Sequence, residues 1–214
     1  SLLHISDVQY GSISKAEMEE RFRQAYSLDP DAIVFTGDLI DFEQYALADF
    51  DILRGSPVPI FFERGNHEFY HDPTRLLSYL NSVAPIRLLI NNSVVLGDLE
   101  IVGVDFSREK GHLQRVVDRL NRDPEKFQIL LFHEPKDVEV AANLGFDLQL
   151  YGHTHAGQIW PYTWLIDRIY KYGDGLFTVG DAVVYVSDGI ALWGPRMRLG
   201  SQNEMTLFHL VPEL

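Results

Sequence analysis

Five apolar runs in this chain each lead into a cluster of carboxylate, amide or imidazole side chains. Leu2–Ser6 runs into Asp7-Val8-Gln9, and Ala32–Thr36 into Gly37-Asp38-Leu39-Ile40-Asp41. Val58–Phe62 leads to Gly65-Asn66-His67-Glu68, Phe127–Phe132 to His133-Glu134, and Asp147–Leu150 to Gly152-His153-Thr154-His155. Apolar runs of this length, bounded by turn residues, read as buried strands. In α/β sheets, sites are built at the carboxyl ends of strands. The pattern therefore demands a sheet arrangement that gathers five strand ends in one place.

Each cluster alone is ordinary. An Asp after a strand is usually a turn former or helix cap, and Gly65-Asn66 by itself is a turn. His133 by itself reads as a satisfied histidine. His153 and His155 say more, because an i, i+2 pair in a tight glycine-flanked loop lets two imidazoles reach different ions. In this order the clusters read as a two-metal hydrolase centre, which is machinery for breaking phosphate esters. The chain has no cysteine. Any metal must then be held by N and O ligands, which suits manganese, iron, zinc or magnesium.

Helical patterns lie between the apolar runs. Lys15–Leu28 has Ser14 and Glu17 in capping-box positions. Further helices are expected near Glu43–Leu53, at Pro73–Asn81 with proline in the first turn, at Leu113–Asn121 and at Lys136–Ala142. Val94–Leu96 and Glu100–Val104 read as a hairpin turning at Gly97-Asp98. After Gly157 the pattern changes to short strands at Phe177–Val179, Val183–Val186 and Met205–Leu210, and no helix is evident. A chain of 214 residues with this alternation reads as one mixed α/β domain, residues 1–214.

From Asp7 to His155 the ordered set D-x-Q, GD-x-x-D, GNHE, H and GH-x-H resembles the signature of the calcineurin-like metallophosphoesterase superfamily. The tail, with Gly157-Gln158-Ile159, Lys171-Tyr172-Gly173 and Tyr185-Val186-Ser187, looks like the bacterial YkuE-type branch. Members of that branch often carry an N-terminal membrane segment or export signal. The resemblance implies a four-layer α/β/β/α sandwich and two divalent cations, manganese foremost, with iron or zinc compatible. It implies that Asp7 and His155 bind the first metal, that Asn66, His133 and His153 bind the second, and that Asp38 bridges both. His67 would face the substrate and protonate the leaving oxygen. Asp41 and Glu68 would orient histidines and neighbouring loops. A metal-bridging hydroxide would attack phosphorus in line.

Gln9 departs from the pattern, which has histidine there as a first-metal ligand. Glutamine could coordinate through its amide oxygen, bind through water, or leave the first site weaker. Replacing an imidazole by a carbonyl favours a harder ion such as Mn²⁺ over Zn²⁺.

Other residues carry weaker signals. Arg64 is a candidate for contact with the substrate phosphate or for pairing with a carboxylate such as Asp41. His71, close to the GNHE loop, is a candidate cleft residue. Arg108 and Lys110 read as a solvated loop, His4 as packing and His112 as a helix start. Trp160, Tyr162 and Trp164 follow the His153–His155 loop directly, with Tyr170, Tyr172 and Trp193 beyond. They either pack against a sheet edge or form an apolar ledge beside the metals, for an acyl chain, a base or a membrane surface. Burial of Trp160 and Trp164 would exclude the ledge.

The formal charge is −13. That disfavours nucleic acid, whose recognition needs Lys and Arg on phosphates, and electrostatic adhesion to anionic lipid. No apolar stretch approaches the ~20 residues of a membrane span, and no signal peptide is present. Because the first strand begins at once after Ser1, an upstream segment is expected. It favours a membrane-associated or cell-envelope location over a cytoplasmic one. The function expected is metal-dependent hydrolysis of a phosphodiester or pyrophosphate bond. A nucleotide- or lipid-linked substrate fits, such as a UDP-diacylglucosamine-like pyrophosphate. A phosphoprotein phosphatase is a second choice. A non-catalytic metal-binding scaffold for protein partners is a third, and it conflicts with the retention of His67 and every ligand position but Gln9.

Overall fold

The computed structural model describes residues 1–71, 74–83 and 85–211, apart from the side chain of Asp167. The expected proline at position 73 lies outside the described residues. In chain order the strands are β1 (Leu2–Ile5), β2 (Ala32–Thr36), β3 (Ile60–Glu63), β4 (Ile86–Leu88), β5 (Asn92–Leu96), β6 (Leu99–Val104), β7 (Phe127–Phe132), β8 (Leu148–Tyr151), β9 (Gly175–Val179), β10 (Ala182–Val186) and β11 (Thr206–Phe208). The helices are α1 (Lys15–Ser27), α2 (Asp51–Arg54), α3 (Asn66–Tyr70), α4 (Thr74–Ser82), α5 (His112–Val117), α6 (Val138–Asn143) and α7 (Tyr162–Ile169).

Two sheets form, ordered β11-β1-β2-β3-β4 and β5-β6-β7-β8-β10-β9. Strands β1 to β4 run parallel, with β11 antiparallel on the edge. In the second sheet β6, β7, β8 and β10 are parallel, and β5 and β9 are antiparallel edges. The central strands are buried on both faces, as near-continuous apolar parallel strands must be. One face of the first sheet, with Leu2, Ala32, Val34 and Phe61, meets Ile101, Ile129, Leu131 and Leu150 of the second. Its other face, with Leu3, Ile5, Ile33 and Phe35, packs under Met18, Phe22 and Ala25 of α1 and Leu76 and Leu80 of α4. The outer face of the second sheet packs under α5 and α6 through Leu113, Val116, Val138 and Ala141. This is the four-layer α/β/β/α arrangement that the resemblance implies.

Local signals explain several element boundaries. Ser14 caps α1, with its backbone N–H donating to Glu17 at 2.8 Å in return. The hairpin turns at Gly97-Asp98, with Leu96 opposite Leu99 and Gly97 at φ 60°.

The structure corrects two expectations and adds a strand. The helix near Glu43–Leu53 shrinks to a 3₁₀ turn at Leu47–Phe50 followed by the short α2. Strand β4 was not legible as a run. Most importantly, α7 stands where no helix was evident. Tyr162, Thr163, Trp164 and Ile166 are weak helix formers, and no side chain caps its start. Its eight residues complete only about two turns, too few for a 3.6-residue period to stand out.

Candidate metal centre

The loops after β1, β2 and β3 of one sheet and after β7 and β8 of the other meet at one end of the sandwich. Close approach requires unusual backbone there. Asp7, Gln9, Asp38, His153 and His155 all adopt left-handed φ, between 50° and 74°, a region that side-chain-bearing residues rarely enter. Two glycines make room. A Cβ on Gly65 would overlap the Asp38 carboxylate, and one on Gly152 would overlap Ser6 Oγ and the Asp7 carboxylate. Gly152→Ala is therefore expected to displace Asp7. It should cost about 1–3 kcal/mol in urea unfolding and weaken metal binding measured by calorimetry; unchanged values in both would contradict this geometry.

Four ligand-type side chains converge in one cluster. His133 Nε2 lies 2.9 Å from Asn66 Oδ1, 3.2 Å from Asp38 Oδ2 and 3.2 Å from His153 Nδ1. The ligand atoms of Asp38, His133 and His153 all lie within 4.8 Å of one another. His133 Nδ1 donates to the Thr36 carbonyl at 2.6 Å, which aims Nε2 at the cluster.

A second cluster shares Asp38. His155 Nε2 is 3.3 Å from Asp7 Oδ1, and the His153 N–H donates to Asp7 Oδ2 at 3.1 Å. The Gln9 amide nitrogen donates to Asp38 Oδ2 at 3.0 Å, while its oxygen is buried without a hydrogen-bond partner. Asp7 Oδ1 likewise has no hydrogen-bond donor. Two orphaned acceptor oxygens, buried beside a shared carboxylate among N and O donors, are what divalent cations would satisfy. The donor set fits a metal site.

The electrostatics suit two of the three imidazoles. Burial, reinforced by the charge of His133, lowers the His153 pKa to about 4. Burial also lowers His155, with Arg198 adding to the effect against Asp7. Both imidazoles are then neutral, the form that ligates metal. Burial alone would lower His133 too, but the charge of Asp38 outweighs it and holds the ring well above its ordinary value.

His67 stands at the rim. Its Nδ1 is 3.1 Å from Asp41 Oδ1 and its Nε2 is 3.8 Å from Asp38 Oδ2. Its backbone N–H donates to Asp38 Oδ1 at 2.9 Å. Glu68 points away from the cavity and into the backbone. It accepts N–H groups of Leu39 at 2.7 Å, Asp38 at 2.9 Å, Gly65 at 3.0 Å and Ile40 at 3.1 Å, so it ties the Asp38 loop to the Asn66 loop.

Three further candidates do not join this cluster. Arg64 pairs with Asp105 rather than Asp41, its Nε donating to Oδ1 at 2.7 Å. Asp41 is already held by His67 and Ser12, whereas Asp105 follows β6 in the facing sheet. His71 contacts the Asp41 carbonyl at 3.1 Å and Glu43 at 3.3 Å. Trp160 is 63% exposed and lies outside the cavity lining.

Arg198 was missed by sequence reasoning. It donates to the His155 carbonyl at 3.0 Å and the Ala191 carbonyl at 2.8 Å, and its Nη2 sits 3.4 Å from His155 Nδ1. Nothing in its sequence neighbourhood signals this, because its contacts with His155 and Ala191 run through backbone carbonyls of distant residues.

A cavity of about 660 Å³ opens over the two clusters. Gln9, Asp38, Asn66, His67, His153 and His155 form its floor, and α7 forms one wall.

Comparison with known proteins agrees with this geometry. Residues 1–157 match the family described as calcineurin-like phosphoesterase. The chain is 31% identical over 229 residues to a bovine protein named transmembrane protein with metallophosphoesterase domain, covering 94% of this chain and 51% of that one. It is 30% identical over 200 residues to the uncharacterized metallophosphoesterase YkuE of Bacillus subtilis, covering 85% and 68%. It spans about three-fifths of the length of further bacterial relatives. A solved dimetal phosphatase from Danio rerio shares the fold, with TM-score 0.55, 14% identity and coverage of 88% and 87%. The match over residues 1–157 of 214, on a site of this architecture, places the chain in the calcineurin-like phosphoesterase family.

Proposed function

We propose that the protein hydrolyses a phosphodiester or pyrophosphate bond, in a nucleotide- or lipid-linked substrate, at a centre holding two divalent cations. The observation that carries this is Asp38. Its Oδ2 lies 3.2 Å from His133 Nε2 in one cluster and accepts the Gln9 amide N–H of the other at 3.0 Å. Asp7, Gln9, His155 and Asp38 would hold one cation, and Asn66, His133, His153 and Asp38 the other. When bound, the cations supply an acidified water and neutralise phosphate charge. His67, held by Asp41, donates a proton to the departing oxygen. Glu68 keeps Asp38 and Asn66 in register. The exposed aromatics beside the site and the bovine relative's name support a location at a membrane. Among the described residues, no helix is long and apolar enough to cross one.

The test is hydrolysis by protein stripped of metal and reloaded with Mn²⁺ or Zn²⁺. The panel is an aryl phosphodiester, an aryl phosphomonoester and a nucleotide-linked pyrophosphate. Mn²⁺-dependent turnover of the diester or pyrophosphate, above that of the monoester, is expected. The carbonyl donor of Gln9 also predicts more activity with Mn²⁺ than with Zn²⁺; equal or greater activity with zinc would remove that assignment. No turnover of any member would count against the proposal.

A further inference from the structure

The cavity over the metal clusters is not a polar bowl. It continues sideways into a groove walled by Tyr162, Leu165 and Ile166 of α7, by Trp193, and by Tyr70 and Tyr170. These side chains are held open to solvent. Tyr162 is 63% exposed, Trp193 51% and Leu165 39%. Exposed apolar residues clustered this closely mark a binding surface rather than ordinary scatter.

The chemistry of the walls narrows the ligand. Among the described residues no Lys or Arg lines the cavity, so a chain of further phosphates has no cationic partner there. Two polar side chains on this wall, Gln158 and Thr154, are engaged within the protein. The Gln158 amide donates to the Trp193 carbonyl at 2.8 Å and accepts the Trp193 N–H at 2.9 Å. Thr154 Oγ1 donates to the Gly173 carbonyl at 2.6 Å. Beyond the hydroxyls of Tyr70, Tyr162 and Tyr170 and the indole N–H of Trp193, the wall offers little to replace the water that the edge of a nucleobase or ribose would lose, a net cost. An aliphatic chain has no such requirement and gains from every methylene it removes from water.

We infer that the groove along α7 seats an aliphatic tail of the substrate, an acyl or alkyl chain on the same molecule whose phosphoester lies at the metal clusters. The occupant follows from continuity: floor and groove form one cavity, so a ligand whose phosphoester lies at the metal clusters projects its remainder along α7. The volume, about 660 Å³, lies within the range of sites that enclose a whole small ligand. The inference rests on the phosphoesterase proposal for its headgroup, and narrows nucleotide- or lipid-linked to lipid-like.

The experiment needs no turnover. Methyl-, hexyl- and dodecylphosphonate are titrated below their micellar concentrations, with and without Mn²⁺. Calorimetry and tryptophan fluorescence report binding, since Trp193 lies in the groove. Affinity is expected to rise about threefold per added methylene over the first several carbons. The double variant Leu165→Gln, Ile166→Gln should cut the advantage of dodecyl over methyl at least tenfold. Affinity independent of chain length would overturn the inference, and this arm uses only the unaltered protein. A length dependence that survives the double variant would place the chain elsewhere and also overturn it. So would adenosine monophosphate binding more tightly than dodecylphosphonate. A length dependence sensitive to the variant, in a protein that hydrolyses nothing in Mn²⁺, would uphold the groove and remove the catalytic proposal alone.

Discussion

His67→Ala is expected to lower kcat on an aryl phosphodiester by ~10²–10⁴-fold, the usual worth of a positioned proton donor, while Mn²⁺ binding is retained. The side chain lines the cavity and its Nδ1 meets Asp41, which leaves Nε2 free to face a substrate. Burial alone would lower its pKa. The hydrogen bond to Asp41 and the charges of Asp38, Asp41 and Glu68 outweigh burial and raise it to about 9. The sign follows directly. A raised pKa keeps the ring protonated, and able to donate, below that value; the donor is lost as pH rises through it. Cations bound beside Asp38 oppose the carboxylate field and bring this alkaline limb toward neutrality. Asp41→Asn weakens the hydrogen bond and removes a negative charge, so the limb of kcat against pH should move to lower pH. A loss below tenfold in His67→Ala, with the limb unmoved in Asp41→Asn, would exclude His67 as the proton donor.

Glu68→Gln is expected to have the largest effect on stability. The carboxylate is fully buried and accepts four backbone N–H groups from two loops. An amide keeps the shape but turns a donor toward some of those N–H groups. Removing one partner of a buried, charge-assisted network costs about 3–5 kcal/mol. In a domain of this size that is a fall of roughly 10 °C in Tm. Because the four N–H groups belong to the Asp38 and Asn66 loops, metal affinity should fall as well. Urea unfolding monitored by circular dichroism, with calorimetric titration of Mn²⁺, reads both. A loss under 1 kcal/mol would mean that water replaces the carboxylate at little cost.

The residues on the floor of the centre were legible because their identity and their place after a strand carry the signal together. Asp7, Asp38, Asn66, His133 and His153 each follow an apolar run, and the parallel sheets bring those ends to one side. What the sequence concealed was made by contacts between distant segments. Arg64 and Asp105 lie 41 positions apart, on facing sheets. Arg198 acts on His155 across 43 positions through a backbone carbonyl, a partner that every residue possesses and no motif can mark. Helix α7 was hidden for a different reason. At eight residues, without a side-chain cap and built largely from weak helix formers, it is too short for a period to be recognised.

The left-handed backbone at Asp7, Gln9, Asp38, His153 and His155 has an evolutionary consequence. Glycine would occupy any of these positions without steric conflict, whereas each side chain there costs of order 1–3 kcal/mol. Drift under selection for folding alone would therefore erode these five residues toward glycine and leave a sturdier, inert sandwich. Their presence in this chain is a record of selection for something other than stability.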